Sequence, residues 1–255
     1  MRIGVCHHMT LPGEWEDAIA RAGELGFEGV ELFVTLPTVG DLLDDPGRVE
    51  RLRAAASSAG VALPSLCLAF LGRDRPLASL DSETRMGAVA RAKIGLQRCA
   101  ELGGKVALVP GAPGLDDPSA AAAYVRSLKE LASTAAELGV SIAVETSYNA
   151  QETLDVLGRV GSPWVGDYFD VGNLAAREMD PVEEARKRGR HIFQAHVKGA
   201  RGADLDAGTV DLEAMRGVLR EIGYDGWLML ETSPGESPVE AARRNLAVMR
   251  RHFGS

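Results

Sequence analysis

Four residues of metal-binding type recur at one kind of place in the chain. Glu145 closes the apolar run VSIAVE, Asp170 closes VGDYFD, His196 stands near the end of HIFQAHVK, and Glu231 closes WLMLE. Each run has the length and apolar character of a buried strand. Three carboxylates and an imidazole suit a hard or borderline divalent ion such as Mn²⁺, Mg²⁺ or Co²⁺, with positions left for substrate oxygens. Zinc is compatible too, although a structural zinc more often recruits cysteine. Taken singly, each residue has an ordinary explanation. A carboxylate after a strand often caps the next helix, Asp170 before Val-Gly-Asn can serve a turn, and a lone histidine in an apolar run is more often a satisfied core residue. Their coincidence at equivalent places in four consecutive units favours the metal.

Those places meet only if the runs belong to one barrel. Strand-like runs lie at 2–8, 29–34, 61–68, 105–110, 140–145, 165–170, 191–198 and 227–231. Helix signals follow each, near 13–25, 46–59, 81–102, 117–138, 151–160, 181–189, 211–222 and 238–252. Asp117-Pro118, Asp180-Pro181 and Ser237-Pro238 read as a capping side chain followed by a first-turn proline. Gly26, Gly60, Gly103, Gly139, Gly161, Gly189 and Gly223 stand where helices should end. Eight such units in 255 residues predict an α/β fold, a single (β/α)8 TIM barrel spanning 1–255 as one domain. An open doubly wound sheet shares the alternation, but its usual Gly-rich first turn is absent from the stretch His7 to Pro12. The longest loops are expected after strands three, four and seven.

Composition narrows the partners. Lys and Arg total 28 against 36 Asp and Glu, a net charge of -8, so the chain is expected to repel a phosphate backbone and bind no nucleic acid. No apolar run reaches membrane-spanning length. The opening MRIGVCHHMT reads as a strand rather than a signal peptide. The 3 cysteines, Cys6, Cys67 and Cys99, have no paired spacing and read as apolar fillers in a reducing, cytoplasmic setting.

With the four strand ends in view, the sequence resembles the xylose isomerase-like TIM-barrel superfamily of sugar isomerases and epimerases. The resemblance rests on GFEGVELF (26–33), AVETS (143–147), YFDVGNL (168–174), HVKG (196–199) and the ending GTVDLEAMRGVLREIGYDGWLMLE (208–231). It implies a metal held by Glu145, Asp170, His196 and Glu231. Many relatives carry a histidine where this chain has Asn173, which argues against the multi-zinc endonuclease branch. Asp-x-Gly-Asn is similar to the keto-pentose-phosphate 3-epimerase branch instead. Gly199 stands where many relatives have an acid. The resemblance also implies a substrate contact for Lys198, a sugar-binding role for Arg201 and, shifted by one residue, a contact from Glu152 beside Asn149. A homo-oligomer is implied as well. Glu31 is a family-like acid on the second strand with no assigned partner.

The chemistry follows from the ligand types. A divalent cation chelating a ketose carbonyl and the neighbouring hydroxyl acidifies the intervening C–H and stabilises the enediolate. Glu145 and Glu231 flank the two central ligands and form the natural acid/base pair. Proton return to the same carbon gives epimerisation, and return to the next carbon gives isomerisation. Asn173 could donate to a substrate oxygen or cap a turn. His7 and His8 are expected to end strand one, where alternation turns one of them inward, and His8 is a candidate substrate contact. Trp15, Phe33 and Phe70 could wall a sugar face, although ordinary packing competes. The expected function is a divalent-metal-dependent isomerase or epimerase of a sugar or sugar phosphate, foremost a ketose 3-epimerase. The alternatives are a metal-dependent dehydratase of inosose or dehydroshikimate type and a catalytically silent carbohydrate-binding barrel.

Overall fold

Eight parallel strands pair in sequence order, and the eighth returns to the first to close a barrel. The computed structural model describes residues 1–111 and 117–254. The first unit comprises β1 (Arg2–Cys6), a one-turn helix α1 (His7–Thr10) and α2 (Trp15–Leu25). The second comprises β2 (Gly29–Phe33), short α3 (Val39–Leu43) and α4 (Pro46–Ala59). β3 (Ala62–Cys67) leads to α5 (Ser82–Glu101), β4 (Val106–Pro110) to α6 (Pro118–Leu138), and β5 (Ser141–Glu145) to α7 (Ala150–Val160). β6 (Val165–Asp170) is followed by short α8 (Val171–Ala175) and then α9 (Pro181–Arg188). β7 (Ile192–Val197) leads to α10 (Leu212–Glu221), and β8 (Trp227–Leu230) to α11 (Pro238–Phe253). This is the (β/α)8 TIM barrel expected from the alternation.

The large helices begin and end where their chemistry requires. Asp45, Asp117 and Asp180 cap α4, α6 and α9 with their side chains, each just before a first-turn proline. Ser237 precedes Pro238 but makes no side-chain cap, so there the proline alone sets the start of α11. Gly139 and Gly161 close α6 and α7 in left-handed backbone, at φ 64° and 66°. Two positions depart from the sequence reading. β1 stops at Cys6 and the chain turns at once into α1, so His7 and His8 are helical and strand alternation does not orient them. The connection after β2 (34–45) is also long and carries α3. The loop after β4 contains residues 112–116, which lie outside the described residues.

Alternation along the strands divides the interior in two. One set, including Leu32, Leu66, Val109, Val144 and Phe169, packs outward in one core with Leu96, Leu128, Leu131 and Ala135 of the helices. Each such buried Leu or Phe contributes roughly 1.5–3 kcal/mol by leaving water. The other set, including Cys6, Cys67, Leu108, Ala143, Tyr168 and Met229, fills the barrel itself. Site residues continue this inward set, with Glu145 two places after Ala143 and Asp170 two after Tyr168. Among the described residues no helix is long and apolar enough to cross a membrane.

Candidate metal centre and active site

The four strand-end residues meet. Glu145, Asp170, His196 and Glu231 each offer one ligand atom, and these atoms lie within 4.8 Å of one another. Register explains the meeting: Glu145 pairs with Tyr168 across β5 and β6, and Asp170 pairs with His196 across β6 and β7. β7 carries one extra residue here, since Asp167 pairs with Ile192 but Tyr168 pairs with Gln194. The extra residue, Phe193, lays its ring over Gly166, where a Cβ would stand 2.6 Å from it. After that slip, Gln194 and His196 both face the barrel interior.

His196 is the centre of the arrangement and is fully buried. Its Nδ1 lies 3.2 Å from Glu145 Oε1, 3.2 Å from Glu231 Oε2 and 3.7 Å from Asp170 Oδ2. Its Nε2 stands 2.8 Å from Glu31 Oε1 on the other side. A carboxylate accepts only, so Nε2 carries a proton, and Nδ1, which faces the strand-end carboxylates, is the nitrogen a cation would take in place of its own proton. A carboxylate on the far nitrogen is the pairing that would orient a ligating imidazole and raise its basicity. Glu31 is itself locked, because its Oε2 accepts from Ser65 Oγ at 2.6 Å, Tyr168 OH at 2.8 Å and Gln194 Nε2 at 3.3 Å. Burial opposes its charge, but His196 and these donors outweigh burial and hold its carboxyl below the usual range.

Lys198 reaches back over the cluster, 2.7 Å from Asp170 Oδ2 and in contact with Glu231 Oε2. Gly172 makes room for it: a Cβ there would strike the Lys198 stem and stand 2.6 Å from Gly199 O. That is a physical reason for glycine in Asp-Val-Gly-Asn. Asp170 Oδ1 caps α8 by accepting from Asn173 N at 2.9 Å, while buried Oδ2 accepts no well-directed hydrogen bond. Asn173 Nδ2 donates to Glu145 Oε1 at 3.3 Å, so Asn173 caps and also orients a carboxylate.

The charges separate by environment. Burial, reinforced by Asp170 and Glu231 against the pull of His196, raises Glu145 to about 8. Burial also raises Glu231, offset in part by His196 and Lys198. Asp170 would be raised by burial too, but His196 and the Lys198 ammonium hold it far below the usual carboxylate range. Burial opposes the charged form of His196, and Glu231 and Glu31 are among the groups that outweigh it and raise its pKa. Oxygen donors that repel one another, a nitrogen aimed among them and a buried Oδ2 without a well-directed hydrogen bond fit a divalent cation. Cys6 Sγ also comes within reach of His196 and Glu231. Burial pushes its thiol well up, so it remains a neutral filler and the carboxylate set is the better cation site.

Other candidates fall outside the cluster. Glu152 is exposed and forms a reciprocal capping box with Asn149, each backbone N–H donating to the other's side chain at 3.0 Å. Arg201 is exposed in the loop after β7, with left-handed backbone at φ 58°. His8 is exposed and stacks on Phe33 at 5.8 Å, and Phe33 stacks in turn on His196 at 6.4 Å. His7 turns inward instead, donating from Nε2 to Gly13 O at 2.9 Å and facing Phe33 N with Nδ1. Burial lowers it to about 4. Sequence reading missed Ser65, Tyr168 and Gln194. Tyr168 and Gln194 stand two residues before Asp170 and His196, and a polar Gln in an apolar strand was the available signal.

A family model for the xylose isomerase-like TIM barrel matches residues 19–252. The chain belongs to that family. Among curated relatives, the L-ribulose-5-phosphate 3-epimerase of Salmonella paratyphi A is 26% identical, over 93% of this chain and 89% of its own length. Among solved structures, a D-psicose 3-epimerase crystallised with D-fructose superposes with a TM-score of 0.86 at 18% identity, covering 100% of both chains. An E. coli 3-keto-D-glucoside 4-epimerase superposes with a TM-score of 0.83 at 20% identity, over 98% of this chain and 99% of that one. These structural likenesses establish the family's barrel for this chain.

Proposed function

We propose that this family member is a divalent-metal-dependent sugar epimerase that inverts C3 of a ketose. The reading is carried by one observation: His196 Nδ1, fixed by the buried Glu31 bond, points among three convergent carboxylates. A cation held by Glu145, Asp170, His196 and Glu231 would polarise a ketose carbonyl and its neighbouring hydroxyl and acidify the C–H between them. The chain's own groups do the rest. Glu145 and Glu231 each lie 3.2 Å from His196 Nδ1, and they stand on the fifth and eighth strands, so they can address the reacting carbon from two sides. Lys198 favours the charged form of Glu231, which suits it to take the C3 proton. Glu145, on the fifth strand, faces the reacting carbon from the other side, which suits it to return one there. One proton leaves and one arrives, so the pair must be reset between turnovers. Asn173 holds Glu145 in place, and Lys198 and His8 stand where they can contact substrate. The relatives' printed activities, 3-epimerisation of L-ribulose 5-phosphate and of D-psicose, agree with this reading.

The test is exchange at C3 of a ketose panel in heavy water, with the protein loaded with Mn²⁺ and with it stripped. Metal-dependent incorporation is expected, and Glu145→Gln and Glu231→Gln should each lower kcat by about 10²–10⁴-fold. No metal-dependent exchange across the panel would sink the proposal. A product lighter by one water would convert it to a dehydratase.

A further inference from the structure

A second recess opens beside the metal-binding cluster. It lies between α1, the start of α2 and the β2–α4 connection, and encloses about 130 Å³. At ~30 Å³ per water that is room for about four waters, enough for several hydroxyl groups at once. Phe33 and His8 form its wall towards the cluster, and they continue the ring stack that starts at His196. Trp15 lies nearly buried beneath, its Nε1 donating to Phe33 O at 3.3 Å. Thr38, Asp41 and Arg48 supply polar groups around these walls. The exposed ring of His8, at the end of that stack and flanked by hydrogen-bonding groups, offers a flat face to a sugar ring, whose faces are apolar and whose edges carry hydroxyls.

Its charge balance disfavours a phosphate. Glu14 and Asp41 both line the recess. The one guanidinium among the described lining residues is already engaged, since Arg48 Nη2 donates to Glu16 at 2.9 Å and its carbon centre lies over Trp15 at 5.2 Å. A phosphate dianion would meet two carboxylates and no unpaired fork.

We propose that this recess is a subsite for an uncharged sugar unit that the substrate carries beyond its reacting carbons. The chain's substrate is then a glycosylated ketose rather than a phosphorylated one. This rests on the ketose reading of the metal centre and adds the substrate class. It is tested with three probes that share a fructose reacting end: D-fructose, D-fructose 6-phosphate and isomaltulose, which carries a neutral glucosyl unit on O6. Two readouts are taken on the full-length protein: C3 exchange with Mn²⁺, and saturation-transfer NMR with Mg²⁺, which needs no turnover. Isomaltulose should exceed D-fructose in kcat/KM by about tenfold, the worth of one or two net hydrogen bonds, with D-fructose 6-phosphate below both. Its glucosyl protons should receive saturation, and Asp41→Ala with Thr38→Val should shrink both the kcat/KM ratio and that saturation. If D-fructose is exchanged but the glucosyl protons stay unsaturated, or if D-fructose 6-phosphate is the best of the three, the subsite is wrong. If no ketose is exchanged yet the glucosyl unit is saturated in wild type and lost in the double variant, the subsite stands and the epimerase reading fails.

Discussion

Glu31 shows what a residue can and cannot reveal in a sequence. Its type and its place in GVELF were legible, but its partner was not. β2 and β7 are not neighbours in the barrel, so only a closed lumen brings Glu31 and His196 to 2.8 Å. The reverse holds for Glu152, whose capping spacing from Asn149 was readable locally and whose side chain is used that way. Glu31 gives a test of the proposed metal centre independent of turnover. In Glu31→Gln the amide oxygen can face His196 or the donors of Ser65, Tyr168 and Gln194, but not both. Gln194 offers only an N–H there, so a donor is left unmatched or the imidazole loses its acceptor. Mn²⁺ affinity, read by chelator competition, should fall about 10–100-fold. A folded variant that binds Mn²⁺ as wild type does would remove Glu31 from the metal-orienting role.

The strands and large helices were legible because barrel strands read as short apolar runs and long helices carry caps and periodicity. α1, α3 and α8 were not, because four or five residues give too little periodicity to detect. Contacts that fix one element against another were equally hidden. Arg188, at the end of α9, is buried and donates to both oxygens of Asp167 in β6, at 2.9 and 3.0 Å. It also donates to Tyr148 O at 2.6 Å, in the turn that follows Glu145. One guanidinium thus ties two consecutive units, the fifth and the sixth, just behind the site. Burial raises Asp167 to about 6 in spite of Arg188, which shows how costly its charge would be without that partner. Arg188→Met should therefore destabilise the fold by about 3–5 kcal/mol in urea unfolding, because it strands a buried carboxylate. Asp167→Leu combined with Arg188→Met should recover part of that loss, since position 167 then needs no counter-charge and Glu184, the other acid on Arg188, keeps Lys187 at 3.6 Å. Equal stability of the single and double variants would show that the pair does not act as a unit.

For the whole molecule, the excess of acid over base has one concentrated component at the barrel mouth, where three carboxylates share a small volume. The barrel's own energetics hold them there, and the metal-free fold bears the repulsion that a cation would relieve. The pH dependence has a definite sign. Glu145 has an ordinary value of 4.5 and a folded value of about 8, so the fold binds its proton more tightly than the unfolded chain does. Metal-free stability should fall as pH rises from about 4.5 through about 8. Cation binding requires that proton to leave, so metal-induced stabilisation should grow over the same interval. With free Mn²⁺ at about 100 times its Kd, the gain is about 2.7 kcal/mol. For a chain of this size that raises Tm by roughly 5–10 °C. Thermal unfolding at pH 6 and pH 8.5, with Mn²⁺ and with chelator, measures both effects. The Tm difference should be larger at pH 8.5 and should collapse in Asp170→Asn, which removes the one carboxylate held charged throughout the range. A difference that is the same at both pH values, or that survives in Asp170→Asn, would place the cation somewhere other than the strand ends.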